Sequence, residues 1–226
     1  MFEQIRPFGI EGVELHAGDH LCALHDGPFE RDEILVPYVR EGLRSGDKCM
    51  VVVDRPDGSS LLSALGDDEL VAASLKSGQL DIRAIRDAPV LADGPFAPEN
   101  LCRFWAAELA PAMESGTYPF ARVGGEAGWW LNTLPELSEL VHYESVLNRY
   151  MHQFPQSTLC VYDLGCFGEG VIVDMVMTHP HVIVHGVVVD NPYYLDPDEF
   201  LLIRRAPEAT HLGDEIRAWY DEVSAR

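Results

Sequence analysis

Positive charge is scarce in this chain. Its 226 residues carry 16 Lys and Arg against 37 Asp and Glu, a formal charge of −21. A field of that sign repels phosphate backbones and anionic lipid, so neither nucleic acid nor a membrane is expected as a partner. The same charge also keeps a protein soluble. Long apolar runs are missing too. The longest, HVIVHGVVVDNPYY, is too short to span a bilayer, and its β-branched residues read as a buried strand or strand pair. The first residues, MFEQIRPFGIEGVELHAGDH, lack the apolar core of a signal peptide. Five Cys occur without a CxxC pair, which fits reduced thiols and a cytoplasmic location. Neither GVIV nor GWW forms a nucleophile elbow, so hydrolysis of the Ser-His-Asp kind has no support.

The most informative absence lies in HLCALHDGPFERDEILVPYVREGLRSGDKCMVVVD, from His20 to Asp54. This stretch reads strand, loop, long helix, strand. In nucleotide-binding proteins of that order the loop ends in Gly-Lys-Ser/Thr, whose Lys neutralises phosphates and whose hydroxyl holds magnesium. Here the loop is HDGPFERDE, with one Gly, no Lys, and the carboxylates of Glu30, Asp32 and Glu33. The scaffold is kept and the triphosphate grip is gone. The chain is therefore not expected to be an enzyme, and NTP hydrolysis in particular is not expected.

What the sequence does contain is alternation. Helical spacing runs over 29–43 through Phe29, Ile34, Leu35, Tyr38, Val39 and Leu43, with Pro37 inside and Gly46 as a stop. CMVVVD is a continuous apolar strand, followed by short helices at 61–65 and 68–76 and the strand LDIRAI. A helix over 100–113 precedes a strand that starts at 120 and runs toward GGEAGWW. A helix over 137–151, the strand TLCVYDL, a helix over 171–177 and the strand HVIVHGVVV, bent at Gly186, complete the alternation. The fold class is α/β, with a mainly parallel central sheet and helices on both faces. Ligands of such sheets bind beyond the carboxyl ends of strands. His25-Asp26, Asp54, Gly125-Glu126 and Tyr162-Asp163 stand there. A pocket lined by some of His25, Glu126, Trp129, Tyr162 and Asp163 is expected.

His20, Cys22 and His25 are residue types that ligate zinc, copper or haem iron. Strand alternation puts His20 and Cys22 on one face and His25 on the other, so no metal site is assigned to them; pocket lining and core packing compete. Glu126 lies among glycines, which admit close approach of a ligand, or it satisfies turn amides. The consecutive Trp129 and Trp130 are expected to diverge, one into the core and one toward a pocket. Aromatic rings beside a carboxylate suit a small apolar or cationic ligand. Tyr143 and Glu144 precede Asn148, which shares a helix face with Glu144 and either covers the pocket or faces solvent. His179 is expected to cap a helix as an imidazolium, and His179, His181 and His185 are spaced poorly for shared ligation. Over 211–223 an amphipathic tail shows Leu212, Ile216, Trp219 and Val223 on one face, which should dock on the domain or on a second copy.

Seven strings in order, GDHLCALHD, EGLRSGDKCMVVVD, ARVGGEAGWW, HYESVLNRY, CVYDLGCF, THPHVIV and NPYYLDPDEF, resemble the MEDS family of DcmR-like sensory domains. More distantly, EGLRSGDK and SGQLDIRAI resemble the KaiC branch of the RecA-like ATPases. The family opening runs His, any residue, Cys, two residues, Tyr; His20 and Cys22 match it, and His25 holds the Tyr position. The resemblance implies a three-layer RecA/KaiC-like sandwich over residues 10–203, with 204–226 as a C-terminal amphipathic helical tail. It implies a cytoplasmic sensory domain that binds a small molecule, such as a simple hydrocarbon derivative; the reading of strand ends and helix faces puts the candidate ligand contacts at His20, Cys22, His25, Glu126, Trp129, Tyr143, Glu144, Tyr162 and Asp163. The partner would be a kinase-type, anti-sigma-type or transcription-factor protein. A homodimer is compatible with it, and the cofactor stays open. Two alternatives are a degenerate RecA-like nucleotide-binding protein and an interaction module without ligand.

Overall fold

The computed structural model describes residues 4–53, 58–84, 96–133, 137–203 and 210–225. Asp54, at one expected strand end, lies outside them. The lead-in before residue 20 is itself structured: β1 (Ile5–Pro7) and β2 (Glu14–His16) pair antiparallel, with Phe8 and Leu15 buried beside them. There follow β3 (His20–His25), α1 (Gly27–Arg44), β4 (Lys48–Val53), α2 (Ser59–Leu65), α3 (Glu69–Ser77), β5 (Leu80–Ala84), α4 (Pro98–Glu114) and β6 (Ala121–Glu126). The second half supplies α5 (Trp130–Thr133), α6 (Leu137–Leu147), β7 (Gln156–Asp163), α7 (Glu169–Thr178), β8 (His181–Val184), β9 (Val187–Asp190), α8 (Pro197–Ile203) and α9 (Thr210–Ser224).

Seven strands form one sheet in the order β5-β4-β6-β7-β3-β8-β9, parallel except for the last pair. Every residue of β3 and of β4 is buried, as a strand covered on both faces requires. Alternation sorts their side chains into two cores. Leu21, Ala23, Cys49 and Val51 pack with α1, α2 and α3 on one face. Cys22, Leu24, Met50, Val52, Cys160 and Tyr162 pack with α4, α6 and α7 on the other. The result is the expected three-layer sandwich. Arg122, fully buried in β6, ties it to the lead-in by donating to Asp47 Oδ2 at 2.9 Å and to the carbonyls of Pro7, Phe8 and Tyr38.

Several expectations need correction. Of the two readings of HVIVHGVVV, the strand pair holds and the single bent strand does not: His185 (φ 47) and Gly186 (φ 76) both take left-handed backbone, the type I′ geometry that joins β8 to β9. Phe29 is 75% exposed, because at 3.6 residues per turn it stands about 180° around α1 from the buried Tyr38. α6 ends at Leu147 instead of 151, the chain tightening through Arg149 N–H to Val146 O and Tyr150 N–H to Leu147 O. The tail helix is present as α9. It docks within the chain: Ile216 is buried in the same core as Met175 and Val176, and the Trp219 ring meets Tyr193 edge-on at 5.7 Å.

Candidate functional site

Between the sheet and the α4–α6 pair lies a cavity of about 70 Å³. Val52, Gly124, Gly125, Thr158 and Cys160 form its sheet side, while Trp105, Leu109, Tyr143, Glu144 and Leu147 form its helical side. Trp129 and Trp130 close one end. A dry cavity that accepts benzene is about 150 Å³, so this one suits an occupant of only a few heavy atoms. A Cβ built on Gly125 would meet nothing within 4 Å, so the absent side chain contributes to the open space. The two tryptophans do not diverge. Trp129 lies in a turn, with Trp130 N–H bonded to Ala127 O and Leu131 N–H to Gly128 O, and this backbone brings the two rings into a stack at 4.3 Å. Tyr143 packs on Trp130 at 5.6 Å, and burial pushes its phenol well above the usual range.

Glu144 is the polar pole of this region, and it is buried rather than on a solvated face. Its Oε1 accepts the Tyr162 hydroxyl at 2.5 Å. Its Oε2 lies 3.3 Å from His20 Nε2, 3.6 Å from His179 Nε2 and 3.4 Å from Cys160 Sγ. Cys160 Sγ is in turn 3.3 Å from His20 Nε2, and the two imidazoles lie with centroids 4.0 Å apart at a 40° tilt. Burial alone would raise the Glu144 carboxyl; the hydrogen bond to His20, the His179 and His20 imidazoles and the Tyr162 hydroxyl outweigh it and hold the group below its ordinary value. Burial, with His20 alongside, pushes His179 down to about 3. His179 does close α7, donating Nδ1–H to Met175 O at 2.6 Å, but as a neutral ring and not as the expected imidazolium.

The retained phosphate-loop position is filled by the chain itself. Asp26 N–H donates to Glu30 Oε2 at 2.8 Å, so a carboxylate sits where the helix start would hold an anion. Arg31, the one cation of the loop, donates to Glu126 Oε1 at 2.6 Å, to Asp32 Oδ1 at 2.8 Å and 2.6 Å, and to Ser60 Oγ at 2.9 Å. Its charge is thus engaged within the protein.

The expected site residues separate into groups. Glu126, Trp129, Tyr143 and Glu144 border the cavity; Tyr162 reaches it only through Glu144. His20 and Glu144 meet, and Cys22 lies on their face but outside the four converging donor atoms. His25 turns to the opposite side, its Nδ1 2.9 Å from Gly27 O, so His20, Cys22 and His25 do not converge. Asp163 is partly exposed and bonds its own turn at Gly165 N–H. The cavity accordingly runs along the sheet face beneath two helices rather than over the strand ends. Sequence spacing missed Cys160, His179 and the bonding role of Asn148, whose Oδ1 is 3.1 Å from His20 Nδ1. The shared face of Glu144 and Asn148 was the available signal.

A second cavity, about 230 Å³, lies between α7 and α9, lined by Phe167, Ile172, Val176, Ile216 and Tyr220, and contains none of the expected site residues. Among the described residues no helix is long and apolar enough to cross a membrane.

Comparison with known proteins agrees with this architecture. A KaiC-like protein of Pyrococcus horikoshii is 13% identical, with a TM-score of 0.55 and 80% of each chain covered, which establishes a shared RecA/KaiC-like fold. The flagellar accessory protein FlaH of Methanocaldococcus jannaschii is 10% identical with a TM-score of 0.49, over 77% of this chain and 76% of that one. The transcriptional repressor DcmR of Methylorubrum extorquens is 28% identical over 176 residues, 75% of this chain; the match spans 61% of the repressor's length. The profile of the methanogen/methylotroph, DcmR sensory domain matches residues 19–180. From β3 through the end of α7, the elements that build the cavity and its polar pole, this chain belongs to the MEDS family of sensory domains.

Proposed function

We propose that this chain is a cytoplasmic small-molecule sensor that takes a compact, largely apolar ligand in the cavity beneath α4 and α6 and relays its occupancy to a regulatory partner protein, without hydrolysing NTP. The observation that carries this reading is the cavity itself: about 70 Å³, walled by Trp105, Trp129, Trp130, Tyr143, Val52 and Leu109, with Glu144 and Cys160 as polar contacts. Such a lining rewards an apolar body and one polar handle. A simple hydrocarbon derivative has that form. Against nucleotide turnover stand the loop without Lys and the engagement of Arg31 by Glu126 and Asp32. The partner is a transcription factor, kinase-type or anti-sigma-type protein; the likeness to a transcriptional repressor favours the first. The acidic charge of −21 argues against direct contact with nucleic acid or anionic membrane by this chain.

The test uses the tryptophans. Titration with one- to three-carbon alcohols and halogenated alkanes should give a saturable change in intrinsic fluorescence, which a Gly125→Val variant should lose. No saturable response to any member of the series, with the wild-type protein folded, defeats the reading.

A further inference from the structure

We propose that His20, Glu144, Cys160 and His179 form a binding site for one divalent transition-metal ion of the zinc type. These residues come from β3, α6, β7 and the end of α7, and their donor atoms all lie within 4.8 Å of one another. Four measured edges of the cluster, 3.3, 3.3, 3.4 and 3.6 Å, match the ligand-to-ligand spacing of a tetrahedron with metal–ligand bonds of about 2.0–2.3 Å. The donor set of two imidazoles, one thiol and one carboxylate is of the borderline kind that zinc and its neighbours prefer.

Proton accounting gives the second line of argument. Asn148 donates Nδ2–H to Thr178 O at 2.8 Å, which fixes its amide so that Oδ1 faces His20 Nδ1. An amide oxygen only accepts, so Nδ1 of His20 carries hydrogen. His179 likewise carries hydrogen on Nδ1, which faces Met175 O at 2.6 Å. Both Nε2 atoms therefore face inward, toward the Glu144 carboxylate. His179 Nε2 is fully buried and has no hydrogen-bond partner among the described residues. Four atoms able to ligate a metal thus face one another: His20 Nε2, His179 Nε2, Glu144 Oε2 and Cys160 Sγ. A cation among them would give His179 Nε2 the partner it lacks. On binding, Cys160 releases its thiol proton to solvent; its thiolate and the Glu144 carboxylate then balance the two positive charges of the ion. The outer bonds from Nδ1 to oxygen are the arrangement that orients metal-binding imidazoles. This inference concerns the metal alone and does not require the cavity to hold an organic ligand.

The experiment is a cobalt titration of the chelator-stripped full chain, followed by absorption and by elemental analysis. One equivalent should bind, with the visible bands of tetrahedral cobalt and a near-ultraviolet thiolate charge-transfer band. Cys160→Ser should lose the charge-transfer band. Asn148→Ala, which removes a positioning residue, should keep the band and weaken binding by about tenfold to a hundredfold. Because either variant can misfold, circular dichroism is recorded for each, and the wild-type spectrum stands as an independent readout. Failure of the folded wild-type chain to take up one equivalent of cobalt or zinc overturns the proposal and leaves a buried His–Glu proton pair. A charge-transfer band unchanged in folded Cys160→Ser overturns it too. Fluorescence titration with organic probes on the same protein keeps its outcome separate from that of the sensory reading.

Discussion

The Tyr162 hydroxyl donates to Glu144 Oε1 at 2.5 Å, from a strand to a helix, with both side chains buried. A hydrogen bond to an ionised acceptor contributes about 1.5–3 kcal/mol. Tyr162→Phe should therefore lower stability by that amount in urea unfolding. In a double-mutant cycle with Glu144→Gln, the two changes should couple by more than about 0.5 kcal/mol. Additive effects would show that the bond contributes nothing in solution.

Arg31 and Glu126 form a second buried pair, at the carboxyl end of β6. Removing one partner of a buried pair strands the other charge, at a cost of about 3–5 kcal/mol. Arg31→Met should show most of this loss, and the double variant Arg31→Met, Glu126→Leu should recover part of it. The thermal midpoints of the three proteins decide the matter. Neither variant should gain or lose ATP turnover, measured as phosphate release.

Adjacent glycines of β6 should respond in opposite ways to a side chain. A Cβ at Gly124 would lie 3.1 Å from Leu35 Cδ1, so Gly124→Val overpacks the α1 face and should cost about 1–3 kcal/mol. Gly125→Val places its methyl groups where a Cβ meets nothing within 4 Å. It should melt near the wild type while losing the fluorescence response to small ligands. Equal melting of both variants would show that the two faces are not distinguished in this way.

Ile216 is the deepest apolar anchor of α9 among its described side chains, at 2% exposure. Ile216→Ala should cost about 2–5 kcal/mol if the helix stays docked in solution. An unchanged urea midpoint would mean that the helix is released from α7.

Local periodicity made most elements legible, because a buried strand and an amphipathic helix each write their environment into consecutive residues. The apolar run of β4 and the helical spacing of α1 and α9 are cases in point. The neighbours of β3 left no such trace. β8 pairs with β3 so that His181 stands beside Leu21, and that register brings His179, two positions earlier, against His20. Nothing in the spacing around Pro180 announces this; sheet order alone does. The convergence of Trp129 and Trp130 was hidden for a different reason. Reading them as helix or strand omits the turn that aligns their rings.

Glu144 and Cys160 belong both to the cavity wall and to the four-donor cluster. Two occupants that share wall atoms cannot be thermodynamically independent. If an ion draws the Glu144 carboxylate toward the imidazoles, the cavity changes shape and polarity, and its affinity for a guest changes by some factor. Linkage requires the guest to change the affinity for the ion by the same factor. A shift of only 1–3 kcal/mol, typical of such coupling, would make the response to the small molecule depend about 5- to 150-fold on metal supply. The chain would then report the product of two concentrations rather than either one.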